Sequence, residues 1–162
     1  MFKWVRIFGA QYLGFWAFGL IIFALQEVPY MVMPFFHLQS NPIMEMRESS
    51  VFLDICEKVL GSSCIAMLLF IVHNDAKFFS ITAGERLFFL IAAAVLLLNY
   101  FGWFLYFTGH QSAAVMLIFI VALPPLLYLF VGLWRKNIPL AVTACVFLIV
   151  HFVHVSGNFK LE

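Results

Sequence analysis

The stretch Gln26–Phe36, QEVPYMVMPFF, sets one carboxylate and two prolines inside an otherwise apolar run. How it is read decides where the first helix ends, and with it the depth of the polar groups that follow. A membrane-crossing helix needs roughly 20 apolar residues at about 1.5 Å of rise each. Counted from Arg6 as the inner boundary, Glu27 lies 21 residues further on, about 31 Å along a straight helix. That length matches the hydrocarbon core, so the count puts Glu27 at the outer rim of the first span. The residue before a proline disfavours helix, and Pro29 would turn the chain there. The expectation is a first span over about 7–27, followed by an outer loop over 28–50 with an interfacial or re-entrant start.

Composition points the same way along the whole chain. Of 162 residues, 65% are hydrophobic and only 10% charged, with 21 phenylalanines. A soluble domain carries about 25% charged residues because its surface faces water. Here the surface must face lipid instead. A net charge of +1 supplies no basic excess for nucleic acid. The three cysteines, Cys56, Cys64 and Cys145, lie in or beside apolar segments with no CxxC pair, which reads as small hydrophobes rather than a disulfide framework. The N-terminal run has the basic start of a signal peptide, but it is long, aromatic and lacks a small-x-small cleavage site, so it reads as a retained helix.

Four more segments reach membrane-crossing length, at about 51–73, 84–107, 113–134 and 138–156. The predicted fold class is therefore all-α: a polytopic transmembrane helix bundle of about five spans, forming one membrane domain over 1–162. Lys and Arg set its orientation. With the N-terminus inside, Lys3, Arg6, Lys77, Arg86, Arg135 and Lys136 fall on the inner side, against Arg47 and Lys160 outside. The predicted topology is N-in/C-out in a cell membrane. Pro124-Pro125 interrupts the fourth span and should kink it, and the carbonyls it frees need partners from protein or water.

Depth arithmetic gathers the polar residues towards the outer side. Asp54 and Glu57 open the second span, and Asn99 lies 13 residues above Arg86, about 20 Å up. His151 and His154 are 14 and 17 residues beyond Asn137, about 21 and 26 Å up. Ionisable groups at such depth face the bundle interior or water, because lipid exposure is costly. Asp54 and Glu57 share a helix face with Gly61 and Cys64, while Phe147, His151, His154 and Asn158 form a second stripe. If both stripes face inward, Glu27, Asp54, Glu57, Asn99, His151 and His154 line one outward-facing polar cavity. The competing readings are an Asp54–Lys58 ion pair at a helix start and histidines hydrogen-bonded to backbone at the interface.

Motif chemistry narrows this little. There is no GxxxxGK[ST], no GxSxG and no HExxH. His151 and His154 form an HxxH whose two rings, with Glu57, would suit a metal. The functional expectation is a protein that binds or transports a small molecule or ion, either a cation or a small lipophilic ligand. In that reading the carboxylates hold the cargo and the imidazoles couple it to protons. The alternatives are a structural or accessory membrane subunit and an intramembrane enzyme using Glu/His acid–base chemistry on a lipophilic substrate. The expected partners are the lipid bilayer and, for so small a bundle, further copies of the chain.

Overall fold

The computed structural model describes residues 2–38, 40–46 and 49–159. The chain begins as β-structure rather than helix. β1 (Phe2–Phe8) and β2 (Gln11–Phe15) form an antiparallel hairpin, and β3 (Ile71–His73) adds antiparallel to β2, giving the order β1-β2-β3. Gly9, with φ +50°, supplies the left-handed residue that a two-residue hairpin loop requires. Arg6 closes the turn by donating from Nε to the Gly9 carbonyl at 2.6 Å. This corrects the all-α expectation: the bundle carries a small sheet at one end. The residues are aromatic and β-branched, and Lys3 and Arg6 make them a poor start to a membrane helix.

α1 runs Ala17–Val32 and continues through a 3₁₀ turn to Phe35. It starts ten residues later than the expected span, and Val28–Val32 belong to the helix rather than to an outer loop. Glu27 is therefore ten residues past Ala17 and eight before Phe35, about 15 and 12 Å from the two ends. The rim position expected for Glu27 is corrected to a central one. Pro29 is accommodated inside the helix because of a neighbour. Its ring nitrogen has no hydrogen for the carbonyl of Leu25, four residues back. The hydroxyl of Tyr100 donates to that oxygen instead, at 2.7 Å.

α2 (Val51–Phe70) begins at Ser50, whose side chain accepts from the Leu53 amide. α3 spans Arg86–Phe107, α4 Ala113–Trp134 and α5 Ile138–Asn158. α4 is not uniform: Met116–Ala122 winds as π-helix just before Pro124-Pro125. In an i→i+5 ladder the Phe119 carbonyl would look to the nitrogen of Pro124, which cannot donate. Asn99 of α3 supplies the missing donor, its Nδ2 lying 2.7 Å from the Phe119 oxygen. Thus two consecutive residues, Asn99 and Tyr100, satisfy the carbonyls that Pro124 in α4 and Pro29 in α1 leave open.

The helices run alternately between two ends. The hairpin end gathers the start of α1, the end of α2, the start of α3 and the α4–α5 turn. There Asn137 caps α5 by accepting from the Leu140 amide, while its Nδ2 donates to the Met67 and Ile71 carbonyls that end α2. Arg135 is buried beside Trp16 and Trp134, with its guanidinium carbon 4.8 and 5.3 Å from the ring centres. It donates to the Lys77 carbonyl at 2.7 Å and to Ser80 Oγ at 3.2 Å, and so anchors the loop before α3. Burial holds its guanidinium below the ordinary arginine range, with Glu85 acting in the opposite direction. Lys3, Arg6, Lys77, Arg86, Arg135 and Lys136 all belong to this end. Arg47 and Lys160, assigned to the other side from sequence, lie outside the described residues.

The main core joins Trp16, Leu68, Val72, Leu127, Trp134 and Leu140, with Val72 from the sheet and the rest from helices and their caps. A second cluster, with Met33, Trp103, Tyr106 and Met116, fills the opposite end. The outward faces stay apolar, as at Leu97, Phe104, Ile149 and Val153, which a water-facing helix would not tolerate. Among the described residues four helices, α1 with its 3₁₀ turn, α3, α4 and α5, are long and apolar enough to cross a membrane. This is the make-up of a multi-pass membrane protein. α2 has the length, but Asp54, Glu57 and Lys58 lie in its first half.

Candidate functional site

The α2 and α5 stripes meet. Gly61 faces Phe147, and a Cβ on Gly61 would come within 3.2 Å of the ring, so its small size lets the two helices close up. Nearer the end of the bundle, Glu57 lies between His151 and His154. His154 Nδ1 hydrogen-bonds Glu57 Oε2, and His151 Nδ1 lies 3.1 Å from Glu57 Oε1. The His151 approach is off the line of a hydrogen bond, so that contact is electrostatic. Phe147 stacks on His151 at 5.1 Å between ring centres, which fixes the plane of the imidazole.

The orientation of His154 follows from a chain of donors. The Ser49 amide donates to Asn158 Oδ1 at 2.8 Å, which turns the Asn158 NH2 towards His154. Asn158 Nδ2 then donates to His154 Nε2 at 3.1 Å. A nitrogen that accepts carries no hydrogen, so His154 holds its proton on Nδ1 and donates it to Glu57. Both nitrogens of His154 are thereby engaged. His151 differs: among the described residues its Nε2 makes no hydrogen bond, and this ring borders open space.

That space consists of two chambers. One, of about 210 Å³, lies near the bundle end and is lined by Glu57, His151, Tyr30, Ile43, Met116 and Ile120 among others. The segment 40–46 covers it, because the Tyr106 hydroxyl donates to Asn41 Oδ1 at 2.7 Å and accepts from the Ile43 amide at 3.3 Å. Ile43 and Met46 thus border the chamber from the segment between α1 and α2, whereas Val28–Val32, expected in that outer loop, belong to α1. The second chamber, about 170 Å³, lies deeper and is bordered by Gln26, Glu27, Gly61, Pro124, Tyr128 and Phe147. Tyr30 and His151 border both chambers. Tyr30 is held by an edge-to-face contact with Trp103, 4.6 Å between centres at 76°.

The expected residues divide between these roles. Glu57, His151 and His154 come together, and Glu27 lines the deeper chamber beside His151. Asp54 does not join them, since its carboxylate pairs with Lys58 Nζ at 2.7 Å. Asn99 is fully buried and committed to the Phe119 carbonyl and to Gln26. The metal expectation for His151, His154 and Glu57 meets a geometric obstacle: both rings turn Nδ1 to the carboxylate rather than to a common open point. Among the described residues, no three His, Cys, Asp or Glu side chains are arranged to hold a metal ion.

Sequence reasoning had passed over Gln26, Tyr128 and the orienting role of Asn158. Gln26 and Tyr30 are four apart on α1, the spacing of one helix face, and that signal was available. Tyr128 lies four residues past Pro124, which borders the same chamber, so that spacing too was available. Comparison of the chain with protein-family models, with curated proteins and with solved structures finds no match.

Proposed function

We propose that this protein binds a small molecule or ion within the membrane and moves it in exchange for, or together with, a proton. In this reading α2 is a fifth crossing, the hairpin end with its six cations faces the cytoplasm, and the two chambers open towards the outside of a cell membrane. The supporting observation is Glu57, a carboxylate shared by two imidazoles at the wall of a 210 Å³ chamber. Charged groups at such depth are costly unless function retains them, and helix fastening needs no adjoining cavity. His154, oriented by Asn158, fixes the carboxylate. His151, with one nitrogen free and space on both sides, is the member able to take up and release a proton. Tyr30 and His151 together form the wall that cargo would have to pass.

The test uses proteoliposomes holding a pH-sensitive dye, with a proton gradient imposed. Small organic cations, zwitterions and metal ions are added one at a time. Cargo-dependent proton movement is expected in the wild type, should persist in Asp54→Asn, and should disappear in Glu57→Gln. Proton movement unchanged by Glu57→Gln, or elicited by no member of the panel, would sink the proposal.

A further inference from the structure

We infer that the deeper chamber is a binding site for a small organic ammonium ion, with Glu27 as its counter-charge and Gln26 as its hydrogen-bond acceptor. The inference rests on the reading above in taking the chambers as a cargo route, and it names the chemistry of the cargo.

The argument begins at Pro124. The carbonyl it leaves open on Phe119 fixes Asn99 with its NH2 on that oxygen. Asn99 must then present Oδ1 to Gln26, whose Nε2 donates to it at 3.4 Å. The amide of Gln26 is thereby oriented, and its other end, Oε1, has no hydrogen-bond partner although the residue is only 1% exposed. A buried acceptor without a partner costs about 1–3 kcal/mol, so a ligand bearing N–H or O–H groups would relieve it. Gln26 borders the deeper chamber, and so does its neighbour Glu27. Among the described residues the Glu27 carboxylate makes no ion pair and no hydrogen bond, unlike Asp54, Glu57 and Glu85. The acceptor and the negative charge together call for a donor that is also a cation.

The remaining walls select an organic cation over a bare metal ion. Tyr30, Tyr128 and Phe147 bring aromatic rings to the chamber, and ring faces attract ammonium groups. Gly61, Ile65 and Pro124 supply apolar surface and no further oxygen side chains of the kind a hard metal needs. The volume of about 170 Å³ suits a body of benzene size, since an apolar cavity of about 150 Å³ accepts benzene. Glu27, Tyr30, Tyr128 and His151 are the titratable groups around the chamber. A proton on His151 and an ammonium beside Glu27 would repel each other, which links cargo to proton through a residue that borders both chambers.

The probe is benzylammonium, with benzyl alcohol as its neutral counterpart, bound to the full chain in lipid nanodiscs and followed by calorimetry. Benzylammonium should bind at least tenfold more tightly than the alcohol, and Glu27→Gln should remove that preference while leaving the alcohol unchanged. Benzylammonium held beside Glu27 of the wild type should also change the product of carbodiimide treatment, its amine displacing the urea from the activated carboxylate to leave a Glu27 benzylamide, read by mass spectrometry, which needs no variant to fold. Equal binding of the two probes, or modification of Glu27 unaffected by benzylammonium, overturns the assignment. Glu57→Gln separates this assignment from the reading it rests on. If benzylammonium fails while another cargo still moves protons through Glu57, the ammonium assignment alone falls. If benzylammonium binding needs Glu27 but has a pH dependence indifferent to Glu57→Gln, proton coupling alone falls.

Discussion

Asn99→Ala is the substitution whose effect the structure defines most closely. The Asn99 side chain is fully buried and donates to the Phe119 carbonyl at 2.7 Å, an oxygen that the helix itself cannot satisfy while residue 124 is proline. Interhelical hydrogen bonds in membranes average only about 0.6 kcal/mol, because groups left unpaired usually find other partners. Phe119 has no such alternative, so the cost should approach that of an unsatisfied buried carbonyl, about 1–3 kcal/mol. Lost packing adds a cavity cost. A double-mutant cycle with Pro124→Ala isolates the hydrogen bond. Alanine at 124 restores a backbone N–H, so Asn99→Ala should cost about 1–2 kcal/mol less in that background, while the cavity cost cancels. The measurement is reversible unfolding in mixed micelles for the four proteins. Additive costs, with coupling below about 0.3 kcal/mol, would refute the idea that Asn99 stands in for the donor proline lacks.

Three further expectations use the same measurement or simple extensions of it. Tyr100→Phe removes the donor to the Leu25 carbonyl and should destabilise by about 1 kcal/mol, an effect that Pro29→Ala should largely suppress. Gly61→Val places side-chain atoms against the Phe147 ring that stacks on His151, and overpacking of this kind costs about 1–3 kcal/mol. It should also broaden the His151 imidazole signals in NMR spectra, whereas unchanged signals would show that the ring is positioned independently. Glu85 precedes α3. Burial raises its pKa, but the Thr82 amide donating at 2.9 Å and the nearby Lys136 and Arg135 outweigh burial and hold it below the usual 4.5. The folded state therefore binds this proton less readily than the unfolded chain. Its contribution is present above about pH 4.5 and fades as pH falls through the lower folded value, so Glu85→Gln should flatten stability across that acid range.

Much of the candidate site was legible because helical periodicity reports which residues share a face. Asp54, Glu57 and Gly61 against Phe147, His151 and His154 could be predicted as facing stripes from spacing alone, and α2 and α5 do pack that way. What spacing cannot supply is which member of a stripe meets which partner. Asp54 is taken by Lys58 one turn further on, and Asn99 by a carbonyl that becomes open only when α4 winds as π-helix. Depth failed for a related reason. The count from Arg6 assumed continuous helix, but residues 2–15 form a hairpin and α1 begins at Ala17, which shifts Glu27 from rim to centre.

By itself the sequence determined that this chain lives in lipid, since so many apolar side chains have no other solvent, and that Pro124-Pro125 would open carbonyls inside α4, while Pro29 read as a helix end. Only the tertiary structure decided what meets those carbonyls. Tyr100 allows α1 to continue through Pro29, and Asn99 orients Gln26 so that one oxygen remains unpaired. In QEVPYMVMPFF Pro29 is thus an internal residue of the helix, and Glu27 borders a chamber in the middle of the bundle. The reason is physical: a membrane interior offers no water to satisfy an open carbonyl, so its donor must come from another helix.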